Sequence, residues 1–137
     1  MMSVSILLAA TAPQAAAALP PKQAIARADA EPGKGVNGTF EMRVAVVART
    51  SNAIYLNSSM DLSSPGNLVF RLTPEAARQL EEKLGMRIDR ALIGRTVRVK
   101  GTLERVPLAR TRKGTARGSG RVRYEVKIES LDDVTVR

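Results

Sequence analysis

The chain contains no cysteine and no histidine. The first absence excludes disulfides and thiolate metal sites, and the second removes both the commonest general base and the commonest zinc ligand. Tryptophan is missing too, and aromatic residues reach only 3% of the chain, so the core must be aliphatic. Without histidine a serine nucleophile would need a lysine base, and no S-x-x-K pattern occurs from residue 38 onward. The carboxylates nearest turns and strand ends, Asp61, Asp89, Glu104, Asp132 and Asp133, have no diagnostic pair spacing and read as solvated turn and capping residues. Catalysis is not expected, and no cofactor or metal is implied.

What the chain does have is positive charge. Its 137 residues carry a formal net charge of +9, with 44% hydrophobic and 26% charged residues, a composition that folds and favours anionic partners. No charged side chain precedes Lys22, and residues 3–19 are small or aliphatic before Pro20 and Pro21. That is the profile of a secretory signal, with Ala15, Ala16 and Ala17 as small residues for a peptidase. The run is too short and too interrupted by Pro13 and Gln14 to make a good membrane span. The expected division is a signal peptide over 1–19, a linker over 20–37 and one domain over 38–137. A periplasmic or secreted location follows, or a cytoplasmic one if the signal-like segment does not function. Residues 20–38 hold three prolines and three glycines without helical or strand periodicity.

From Phe40 the pattern alternates, with Phe40, Met42, Val44 and Val46 on one face and Glu41, Arg43, Ala45 and Val47 on the other. Short strands are expected at 53–57 and 68–72, the second introduced by the turn residues Ser64, Pro65, Gly66 and Asn67. The period then changes. Thr73 suits an N-cap, Pro74 the first helical position and Gly85 a C-terminal stop, which predicts one helix over about residues 75–84. A long fourth strand follows Gly94, with Val97, Val99 and Leu103 inward, Arg98, Lys100 and Thr102 outward, and Gly101 marking a bulge or bend. A fifth runs over 122–128, and Val134 and Val136 suggest a last short strand or continuation.

Three strands, a helix and two strands is the order of an all-β, five-stranded OB-type barrel with one helix between strands three and four. The stretches 54–57, 67–75, 92–101 and 124–136 resemble the small bacterial OB-fold proteins of the nucleic-acid-binding-like kind. The likeness covers about residues 38–137 and implies a barrel whose ligand face is formed mainly by strands two and three.

Between Arg105 and Lys127 there are eight Lys or Arg residues against one acid, Glu125. In such a barrel Arg110, Arg112, Lys113, Arg117 and Arg121 would form one wall of a groove, because guanidinium groups pair with phosphate or carboxylate and the neighbouring glycines let the loop adapt. Tyr55 and Arg71 are candidates for the same groove, Tyr55 as a stacking platform or equally as a core residue, and Arg71 as a backbone contact. Arg98 and Lys100 complete the candidate ligand-binding set. Asn57 reads as a turn residue that satisfies backbone groups. The G-x-G-x-x-G pattern at 33–38 lacks the strand before and helix after that a dinucleotide site needs.

Two functions remain open. One is sequence-independent binding of single-stranded nucleic acid or another polyanion. The alternative is an exported structural or interaction module that binds a protein or an acidic envelope component. A cleaved signal would place the mature N-terminus between Ala16 and Lys22 and the protein outside the cytoplasm. Mass spectrometry of the N-terminus with cell fractionation checks this, and an intact Met1 in a cytosolic fraction overturns it.

Overall fold

The computed structural model describes residues 17–108 and 121–137. The elements, in order, are α1 (Pro21–Ala30), β1 (Val36–Arg43), β2 (Val46–Arg49), β3 (Ile54–Asn57), β4 (Leu68–Leu72), α2 (Pro74–Leu84), α3 (Ile88–Leu92), β5 (Thr96–Pro107), β6 (Val122–Ile128) and β7 (Val134–Val136). A short 3-10 turn at Leu131–Asp133 precedes β7. Among the described residues the architecture is mostly β, but with seven strands and three helices where five and one were expected. The strands form one sheet in the order β1-β5-β6-β4-β3-β2, with β7 added to β5, and no ladder closes it into the expected five-stranded barrel. All pairings are antiparallel except β4 with β6, which is parallel.

The two ends of this order, β1 and β2, are consecutive in the chain and separated only by Val44 and Ala45. The expected first strand is thus split. Val44 N–H donates to Arg95 O at 2.9 Å and Val44 O accepts from Gly94 N at 2.8 Å, whereas Ala45 N–H turns to Asn57 O at 2.8 Å. Changing partners here resets the alternation. Phe40, Met42 and Val44 are buried as expected, but beyond the break Val47 rather than Val46 packs on the core. Gly94, at φ 86°, takes the left-handed turn that lets the backbone approach Val44.

The other expected inward residues, Leu56, Phe70, Val97, Val99, Val126 and Ile128, are all buried. Gly101 is not a bulge, because the β1–β5 register runs unbroken through Gly38↔Gly101. Its bareness serves packing instead: a Cβ there would stand 3.2 Å from Val126 Cγ1. Residues 20–37, expected to lack regular structure, contain α1. Pro21 opens it, Ala24, Ile25 and Ala28 are buried, and it packs on β1, β4 and β5. Two small alanines and one isoleucine are too weak a stripe to read from sequence, yet they let the helix sit close to the sheet. Tyr124 Oη donates to Asp29 Oδ1 at 2.7 Å, which ties α1 to β6. Just before α1, Leu19 makes a parallel bridge to Phe40.

The helix α2 forms where expected. Thr73 Oγ1 accepts from Ala76 N at 3.2 Å, and Gly85, at φ 74°, is its left-handed C-cap. The unexpected α3 is only five residues long, too short for a periodic signal. It is fastened by Glu81, whose Oε2 accepts from Ile88 N at 2.9 Å and from Arg49 Nη2 at 2.8 Å. No helix among the described residues is long and apolar enough to cross a membrane.

The Ile88 amide, and then the Arg49 guanidinium, hold the Glu81 carboxyl below its ordinary value. A depressed folded-state pKa stabilises the fold above the unfolded value and loses that contribution as pH falls through the folded one. Replacing Glu81 by Gln should therefore cost about 1–2 kcal/mol near neutral pH. The gap from wild type should close under acid, below the carboxylate range. Urea denaturation of both proteins across pH measures it.

Candidate nucleic-acid interface

On β3 the buried Ile54 and Leu56 flank Tyr55, which faces outward and is half-buried. Register places Tyr55 opposite Arg71 on β4, and the parallel pairing of β4 with β6 sets Val69 against Glu125 and Arg71 against Lys127. Three neighbouring strands therefore present Tyr55, Arg71, Arg123 and Glu125 on one outer face. The Arg123 guanidinium carbon lies 5.0 Å from the Tyr55 ring centroid, and that of Arg71 lies 6.0 Å away. Both distances are within the range of cation–π attraction.

Glu125 holds the two arginines. Its Oε1 accepts from Arg123 Nε at 2.9 Å, and its Oε2 pairs with Arg71 Nη1 at 3.6 Å. At 8% exposure this is the one buried acid among the described residues, and two cations meet it there. Arg71 Nε is shielded from solvent with no hydrogen-bond partner among the described residues.

Tyr55 and Arg123 also wall an open cleft of about 170 Å³. Its other side is the β3–β4 loop, with Leu62, Ser63 and Ser64, and its rim includes Leu108 and Arg121. Leu108 N–H donates to Arg121 O at 3.0 Å. The chain thus leaves the described structure at Leu108 and returns at Arg121 on this rim. Arg110, Arg112, Lys113 and Arg117, expected to wall the groove, lie outside the described residues.

The loop wall has an internal scaffold. Asn67 Nδ2 donates to Asn57 Oδ1 at 2.9 Å, and Asn67 Oδ1 accepts from Ser59 N at 3.0 Å. Both asparagines are buried, and Asn57 Nδ2 also reaches Val46 O and Tyr55 O. Asp61 Oδ1 caps the turn by accepting from Ser63 N at 3.0 Å.

Of the expected site residues, the structure brings Tyr55, Arg71 and Arg121 to one region. Arg98 and Lys100 stand elsewhere: they lie on the half of β5 flanked by β1 and β7, while β6 pairs only with the Leu103–Pro107 half. Arg123 and Glu125 were not singled out in sequence. Their signal was parity, since both alternate with the apolar positions of β6, but the parallel β4–β6 pairing that brings them to Tyr55 joins segments some fifty residues apart.

Because the Asn57–Asn67 pair is buried, replacing Asn67 by Ala would leave Asn57 Oδ1 and the Ser59 amide unpaired. The expected cost is about 2 kcal/mol of stability, with loosening of the loop wall. Denaturant titration gives the energy, and hydrogen exchange at Ser59 reports the loop.

No family model matches the chain, and no curated protein is similar to it in sequence. Thirteen solved chains are similar in structure. One is a protein assigned as an aspartyl-tRNA synthetase from Leishmania major Friedlin, at a TM-score of 0.50 and 15% identity. The match covers 94% of this chain but only 22% of that one, so the likeness is one of fold, to a part of a much longer protein.

Proposed function

We propose that this protein is a non-catalytic OB-type module that binds single-stranded nucleic acid on its β3–β4–β6 face. The OB reading treats β1 and β2 as halves of one strand kinked at Val44 and Ala45, which reduces the main strands to five. The parallel β4–β6 pairing and the α2 insertion between β4 and β5 support it. That the structural neighbour is named for tRNA is in keeping with it.

The observation that carries the function is Tyr55 with two guanidinium groups, 5.0 and 6.0 Å from its ring centroid, at the mouth of a cleft. A base stacks on the exposed side of the ring, and Arg71 and Arg123 meet the flanking phosphates. Glu125 keeps both arginines from collapsing away from the ring. A polyanion without bases would use the charge but not the ring. With one aromatic and no free edge-reading amide, since Asn57 and Asn67 are committed to each other, sequence preference is slight.

Fluorescence anisotropy with a labelled single-stranded oligonucleotide tests this. Affinity should fall with salt by a logarithmic slope of about −0.7 per phosphate contacted. Replacing Tyr55 by Ala should cost about 1–3 kcal/mol, or roughly 5- to 150-fold, while Phe at that position retains binding. No binding by wild type at low salt, or equal affinity of the Ala variant, overturns the reading.

A further inference from the structure

Arg98 and Lys100, remote from the cleft, belong to a second charged surface. On β5, Thr96, Arg98, Lys100 and Thr102 alternate with the buried Val97 and Val99, so they share the outward face. Register sets Arg43 opposite Thr96, Glu41 opposite Arg98 and Thr39 opposite Lys100 on one flank, and Thr135 opposite Arg98 on the other. Glu41 Oε1 accepts from Arg98 Nη2 at 2.8 Å and from Arg137 Nη2 at 3.3 Å. Arg95 Nε donates to Arg137 O at 3.0 Å.

Arg43, Arg98 and Lys100 thus share one outward face with Arg95 and Arg137 at its end, and of these Glu41 pairs with Arg98 and Arg137. Glu41 is shared by two guanidiniums and so cannot neutralise the strip. Arg43 and Lys100 are exposed, and neither has an ion-pair partner among the described residues. Grouping unpaired like charges on adjacent strands costs stability, a cost that an anionic partner would offset.

We propose that this β1–β5–β7 face is a second nucleic-acid contact, which neutralises backbone phosphates of the strand whose base is held at Tyr55. The inference rests on the function proposed above and extends it. Three features assign the face to phosphates rather than bases or lipid. It has no aromatic ring, its uncharged outward positions are Asn37, Thr39, Thr96, Thr102 and Thr135, and it offers no apolar side chain for insertion into a membrane surface. The exposed large hydrophobics, Met60, Leu62, Met86 and Ile93, all lie off β1, β5 and β7. The division of labour is that the cleft recognises a base, whereas the ribbon extends the site along the backbone.

The experiment compares single-stranded oligonucleotides of about 4 and about 20 nucleotides, spanning the site sizes such barrels occupy, with full-length wild type, the R43Q/K100Q double variant and Tyr55→Ala. Neither substituted charge is in an ion pair among the described residues, so the double variant should melt at or slightly above the wild-type temperature. It should flatten the salt slope on the long oligonucleotide by about 1–1.4 units, from two lost phosphate contacts, and leave the short one unchanged. An unchanged slope on the long oligonucleotide overturns the second face. So does an equal loss on both lengths, or a loss seen only in binding to vesicles containing anionic phosphatidylglycerol. Tyr55→Ala separates the two ideas: if it leaves the short oligonucleotide's affinity unaltered the cleft reading fails, whatever the double variant does.

Discussion

Val44 and Ala45 are the two residues on which the arrangement of the sheet turns. Up to Val44 the backbone bonds toward β5 and the Gly94–Arg95 turn, and from Ala45 it bonds toward β3. One continuous stretch thereby supplies both ends of the strand order, and the sheet must curl to bring those ends within two residues of each other. A straight strand could not do this. Leucine, valine and isoleucine from opposite halves of the sheet then meet around Phe40, Phe70 and Tyr124 in one mainly aliphatic core.

The curl also decides what the outer face presents. With Ile54 and Leu56 of β3, Leu68, Phe70 and Leu72 of β4, and the apolar positions of β6 turned inward, Tyr55, Arg71, Arg123 and Glu125 face outward together. Burying a carboxylate beside a surface is costly unless it is met by cations, and Glu125 is met by two. The pairing orients guanidinium groups that would otherwise sample many rotamers, so the ring and the two charges are held in one arrangement. The β3–β4 loop is fixed in the same manner by a buried Asn57–Asn67 hydrogen bond rather than by hydrophobic packing.

Much of this was legible in the order of residues. The Thr73-Pro74-Glu75 start and the Gly85 stop specify α2 locally, because capping and the left-handed turn depend on neighbours in the chain alone. Alternation identified the inward positions of β4, β5 and β6, since a period of two survives wherever one face is buried. It failed at Val46, where a change of hydrogen-bond partner shifted the parity, and such a change has no signature in composition. Charge density drew attention to the stretch between Arg105 and Lys127, while Arg98 and Lys100 were placed in one candidate ligand-binding set with Tyr55, from which the structure separates them.

By itself, then, the sequence determined an aliphatic, mostly β, strongly cationic domain with one well-capped helix, because these properties follow from residue counts and short-range periodicity. Only the tertiary structure decided which charges act together. The parallel pairing of β4 with β6 carries Arg123 and Glu125 to Tyr55, and the antiparallel ladder of β1 on β5 carries Arg98 and Lys100 to Glu41 and Arg43. Those neighbours are tens of residues apart in the chain, and strand pairing at such separation is set by how the whole core closes rather than by any local preference.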